Sequence, residues 1–110
     1  MVTDKQAEGA ANFIRDNAEE YAQSKAARRY LEEYRKSQKA LLMNQKQGEP
    51  QHVRESYAYA HEDYKTNLQG LREAIEIEEK LKWQMEAAKI KTEIWRTQSA
   101  NNRNIDRAHR

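Results

Sequence analysis

The chain has 110 residues, and its 20 basic and 18 acidic side chains leave a formal net charge of +2, so no net repulsion keeps it expanded. Val, Ile, Leu and Phe together number only 15, too few for an ordinary globular core, whereas Ala, Glu, Lys, Leu and Arg number 55, the composition of long helices and coiled coils. Three Gly and one Pro exclude a turn-rich β fold, and the absence of Cys excludes disulfides and thiolate chemistry.

The first element begins at Thr3-Asp4-Lys5-Gln6, a capping box with Gln6 three residues after Thr3. From there to Lys46 nothing stops a helix except Gly9, close to its start. Ala7, Ala10, Ile14, Ala18, Tyr21, Ala27, Tyr30, Tyr34 and Leu41 form a loose apolar stripe along it. Gly48-Glu49-Pro50 follows: Gly suits the position just past a helix end, and Pro starts the next helix.

The second element is expected to run unbroken from residue 51 to about 98. Val53, Tyr57, Ala60, Tyr64, Leu68, Leu71 and Ile75, then Leu81, Met85, Ala88, Thr92 and Trp95, step by threes and fours, the a/d rhythm of a packed helical seam. The fold class read from these features is all-α, an antiparallel hairpin of two long helices with its turn at 47–50. Folding at the turn pairs residues whose numbers sum to about 98, which sets Tyr34 opposite Tyr64, Tyr30 opposite Leu68 and Phe13 opposite Met85. Charge follows the same plan. The blocks 1–24, 25–46, 47–79 and 80–110 carry net charges of −3, +5, −5 and +5, so opposite signs face each other in the hairpin. Residues 1–98 are read as the hairpin domain and residues 99–110 as a polar basic tail, expected to fray or stay disordered until bound.

Lys80 to Arg96 is the informative stretch. At 100° per residue, Leu81, Met85, Ala88, Thr92 and Trp95 fall on one face, and Trp83, Ala87, Ile90 and Ile94 fall nearly opposite. One hairpin partner covers one face only, so the second face is expected to be an oligomer or partner surface, with self-association into a longer coiled coil or four-helix bundle preferred over a foreign protein. Beside it, Lys82, Lys89, Arg96, Arg103 and Arg110 recur every seven residues, with Arg107 between the last two. Three readings of this basic stripe compete: coiled-coil flank positions that pair with Glu, sequence-independent contact with nucleic-acid phosphates, or contact with an acidic protein.

Little in the chain points to catalysis. His52, His61 and His109 are scattered, and Ala58 stands where a helical di-iron motif would need Glu three residues before His61. Glu73, Glu76, Glu78 and Glu79 have no His beside them and read as a solvated face. There is no Gly-rich phosphate loop, no metal-spaced Cys/His set and no nucleophile beside a base, so neither enzyme activity nor a cofactor is expected. Of the six Tyr, Tyr59 lies off the seam and is the one candidate platform for stacking a base. The longest apolar run, Ala40-Leu41-Leu42-Met43, is too short to span a membrane, and Met1-Val2-Thr3-Asp4-Lys5 does not read as a signal peptide; a cytoplasmic protein is expected.

The C-terminal half carries a resemblance. Leu71-Arg72-Glu73-Ala74, Glu79-Lys80-Leu81-Lys82-Trp83, Trp95-Arg96-Thr97-Gln98 and Asn102-Arg103-Asn104-Ile105-Asp106-Arg107, with a weaker segment at Tyr34-Arg35-Lys36-Ser37-Gln38-Lys39-Ala40, resemble small uncharacterised coiled-coil proteins of tailed bacteriophages and prophages. The resemblance implies genes near phage recombination or replication functions, a bacterial host cytoplasm, and a partner that is nucleic acid or a phage or host protein. It defines no site residue.

Overall fold

A computed structural model describes residues 1–109. The described chain is all-α: α1 spans Asp4–Asn44, α2 Gln51–Ala60 and α3 Glu62–Ala108, with no strand among the described residues. It divides into two compact units, one formed by Met1–Tyr21 with Lys80–Arg110 and the other by Ala22–Glu79.

α1 starts as its capping box requires. The Gln6 amide N–H donates to Thr3 Oγ1 at 3.1 Å, and the Thr3 amide N–H donates to Gln6 Oε1 at 3.0 Å. The helix ends at Asn44 in a run of tight turns: the amides of Gln45, Lys46 and Glu49 donate to the carbonyls of Leu42, Met43 and Lys46. Gly48 takes φ +92°, a conformation that a Cβ would strain. Arg54 Nε donates to the Met43 carbonyl at 3.2 Å and satisfies one acceptor that the end of α1 leaves open. Pro50 precedes α2, and its carbonyl accepts from the amides of Val53 and Arg54. The turn therefore falls where the breakers place it.

The second element is not continuous. The expectation of one helix from 51 to 98 fails at His61, whose backbone is extended (φ −69°, ψ 139°) between α2 and α3. The side chain explains the break. His61 Nδ1 accepts from the Asp63 amide at 3.1 Å and so caps α3, while the His61 carbonyl accepts from the Lys65 amide. Glu62 and Asp63 add acidic charge to the first turn of α3, where the helix dipole favours it. The Tyr57 ring meets the imidazole edge-on at 5.6 Å.

The largest correction concerns the seam. On α1 the covered positions include Ala7, Ala10, Ile14, Asn17, Tyr21, Ser24, Arg28, Leu31, Arg35, Gln38 and Leu42, an unbroken alternation of threes and fours, with Asn12, Phe13, Lys25, Glu32, Lys39 and Met43 half-buried beside it. On α3 they are Tyr64, Asn67, Leu71, Ala74, Glu78, Leu81, Met85, Ala88, Thr92 and Trp95, again unbroken. Several residues assigned to the stripe by their apolar character are exposed instead: Ala18, Ala27, Tyr30, Tyr34 and Leu41 on α1, and Leu68 and Ile75 on α3. Tyr30 is 67% exposed and Leu41 61%. Polar residues carry the heptad where apolar ones leave it. Asn67 donates through Nδ2 to Gln38 Oε1, and Arg28 pairs with Glu78 through two guanidinium nitrogens while also bonding Glu32 at 3.0 Å. Arg28 pulls the Glu78 carboxyl below the ordinary carboxylate range, against a smaller opposing effect of burial. The two carboxylates in turn raise Arg28 above its ordinary value.

Contacts of α1 and the turn after it with α2 sum to between 94 and 103, whereas Gln38–Asn67 and Arg28–Glu78 on α3 sum to 105 and 106, so the α3 pairs of this unit lie several residues beyond the expected 98. The apolar centre of this unit is Leu42, Ala58 and Tyr64, with Met43 and Tyr57 against them. In the other unit Ala7, Ala10, Leu81 and Ala88 are buried. There Trp95 Nε1 donates to Asp4 Oδ1 at 2.7 Å, and the Val2 amide donates to Gln98 Oε1 at 3.2 Å.

Candidate interaction faces of α3

Each heptad turns an α-helix by about 20° less than two full turns, so residues seven apart form a slowly winding line. In the unit that contains Lys80–Ala108, one such pair of lines, Leu81, Met85, Ala88, Thr92 and Trp95, is buried or half-buried. The expected second face lies roughly opposite and is open. Trp83 is 64% exposed, Ile90 52% and Ile94 45%, and Ala87 is exposed with them. Ala87 also lines a shallow groove of about 420 Å³ together with Gly9, Ala10 and Phe13 of α1 and Lys91 of α3. Isolated apolar side chains at a surface are ordinary, but Trp83, Ala87, Ile90 and Ile94, spaced by fours and threes, line one face of the helix over about three turns.

The basic stripe runs on the side of α3 between that patch and the seam with α1, where Lys82 and Lys89 line a groove with Ile14 and Tyr21. Lys82, Lys89, Arg96, Arg103 and Arg107 are all exposed on α3, and Arg110 lies outside the described residues. Lys82 Nζ sits 5.5 Å from the centre of the Trp83 ring, a cation–π contact that ties stripe to patch. None of Lys89, Arg96, Arg103 and Arg107 has an ion pair among the described residues. Arg107 lies in the last turn, where a cation complements the helix dipole. Residues 99–108, read from composition as a polar tail, continue α3, with 101–108 exposed.

A second basic feature belongs to the other unit, and sequence reading reached only its Tyr59. Arg35, Lys36, Lys39, Tyr59 and Tyr64 line a cleft of about 390 Å³. Lys39 Nζ lies 4.6 Å above the Tyr59 ring, and Tyr59 meets Tyr64 edge-on at 5.4 Å. A hydrogen bond with Tyr59, then the nearby Glu55, raises Lys39 above its ordinary pKa against a lowering by burial. The available signal was the run Arg35-Lys36 with Lys39 one turn on, whose i, i+4 spacing places Arg35 and Lys39 on one side of α1.

The carboxylate cluster separates in the fold: Glu78 is buried against Arg28, whereas Glu73, Glu76 and Glu79 are exposed. No group of three or more His, Asp or Glu that could hold a metal ion occurs among the described residues. No helix of the described residues is long and apolar enough to cross a membrane. Comparison of the chain with family models, curated proteins and solved structures finds no match.

Proposed function

We propose that the chain is a non-catalytic accessory protein that acts by binding, an antiparallel helical hairpin that self-associates and sets its basic stripe against nucleic-acid phosphates. The observation that carries this reading is the line Lys82, Lys89, Arg96 and Arg103, exposed at seven-residue spacing, all four without an ion pair among the described residues. At 1.5 Å per residue these four charges extend over about 31 Å of helix, close to one turn of B-DNA at ~34 Å. Coiled-coil flank cations that served only to pair with Glu within the chain would have carboxylate partners, and Glu86 and Glu93 do not supply them. Trp83, Ala87, Ile90 and Ile94 supply the self-association face in this reading, which leaves the charges available for a ligand. The resemblance to phage and prophage proteins adds the setting: a bacterial cytoplasm and a role beside recombination or replication.

The open apolar patch supports a second reading, a structural or inhibitory protein that engages a phage or host protein without touching DNA. Fluorescence anisotropy with labelled single- and double-stranded DNA at about 50 mM salt separates the two, because phosphate contacts are strongest at low ionic strength. The first reading requires binding indifferent to sequence that is abolished by Arg96→Glu, Arg103→Glu and Arg107→Glu together. Absence of binding at that salt overturns it and leaves the protein-partner reading.

A further inference from the structure

The open face of α3 specifies more than stickiness, because its flanking charges have a direction. Trp83 and Ile90 repeat at seven, as do Ala87 and Ile94, and the steps between them are four, three and four. That is a second heptad on the same helix, with Ala87 and Ile94 at a and Trp83, Ile90 and Thr97 at d. The positions just before a are then Glu86 and Glu93, and those just after d are Gln84, Lys91 and Gln98. Glu86, Glu93 and Lys91 are exposed and have no ion pair among the described residues.

We propose that this face docks a second copy of the chain with the two α3 helices parallel and in register, Glu86 of each copy against Lys91 of the other. In parallel helices a residue at g meets the residue at e five positions further along the partner, and Lys91 is five beyond Glu86. The same rule sets Glu93 against the neutral Gln98, so no like charges meet. Antiparallel helices pair g with g, which would set the acidic Glu86 and Glu93 of one copy against those of the other. Orientation therefore follows from charge, while the apolar patch provides the attraction. The inference rests on the self-association reading above and adds the orientation and register.

The native chain has no Cys, so single-cysteine variants report on position cleanly. Ala87→Cys and Thr97→Cys stand at core positions of the second heptad, where each meets its own copy across a parallel interface within disulfide reach. Both variants are expected to form covalent dimers on oxidation. An antiparallel interface brings at most the position nearest its centre against itself. Cross-linking of one variant or neither, with the wild-type chain dimeric by sedimentation at tens of micromolar, overturns the parallel orientation and leaves self-association standing. A monomeric wild-type chain in the same run overturns both. As a second readout, Glu86→Lys should raise the dimer dissociation constant on the order of tenfold, since two symmetry-related exposed pairs become repulsive, and adding Lys91→Glu should restore it. Tighter association of Glu86→Lys alone would indicate relief of a Glu–Glu contact and contradict the parallel arrangement.

Discussion

Leu41 and Leu42 are adjacent, chemically identical and 100° apart on α1, which makes them a direct test of the seam. Leu42 is 3% exposed and packs with Ala58 and Tyr64, whereas Leu41 is 61% exposed. Truncating a buried Leu to Ala costs about 2–5 kcal/mol, from lost burial and from the cavity left behind. The lower part of that range applies here, about 2–3 kcal/mol, because Met43 and Tyr57 around Leu42 are only partly buried and can close on the gap. In a unit of this size that corresponds to a fall in Tm of roughly 8–20 °C. Leu41→Ala removes little buried surface and loses no helix propensity, so its effect should stay within about 0.5 kcal/mol. Urea and thermal unfolding followed by circular dichroism measure both. Equal destabilisation by the two substitutions, or a larger effect at Leu41, would refute the heptad assignment for α1.

Two further outcomes follow from polar groups in the fold. Arg28 holds the Glu78 carboxyl below its ordinary range, so the stability this pair contributes is complete above the ordinary Glu pKa and is lost as pH falls through that range toward Glu78's own lower value. Glu78→Gln should therefore flatten the loss of Tm between about pH 6 and pH 3, while Glu73→Gln at an exposed position should leave the wild-type slope unchanged; identical slopes for all three proteins would exclude the pair as the cause. At the break, His61→Ala removes the acceptor for the Asp63 amide and should cost about 0.5–2 kcal/mol, whereas His61→Asn retains a capping oxygen and should cost a few tenths at most. A His61→Ala protein as stable as wild type and more helical would mean that α2 and α3 join readily and that the cap does not hold them apart.

What the sequence made legible was whatever rests on local rules. The capping box at Thr3 and Gln6 and the turn around Gly48 and Pro50 act through their own backbone and appear where their chemistry places them. The C-terminal seam from Leu81 to Trp95 was also readable, because there the apolar residues and the heptad coincide. Further back they part. Tyr30, Tyr34, Leu41, Leu68 and Ile75 drew the seam toward apolar side chains, whereas the heptad passes through Asn67 and Glu78, which become acceptable in a covered position only because Gln38 and Arg28 meet them. That pairing is a long-range fact, invisible to a rule that scores one helix at a time. The break at His61 was missed because neither Gly nor Pro marks it, although an imidazole followed by Glu62 and Asp63 is a usable signal for a helix start. The open face of α3 was legible because it needs only helical geometry, and the cleft beside Tyr59 was not, because α1, α2 and α3 supply it jointly.

The salt dependence of DNA binding tests the central proposal most directly. Four phosphate contacts made by Lys82, Lys89, Arg96 and Arg103 on duplex DNA predict a slope of log K against log salt near ~−3.6, or about a hundredfold loss of affinity between ~50 and ~200 mM. Arg96→Ala should make that slope shallower by about 0.9 without changing sequence preference. A slope near zero, or the same slope for wild type and Arg96→Ala, would contradict phosphate recognition by the stripe.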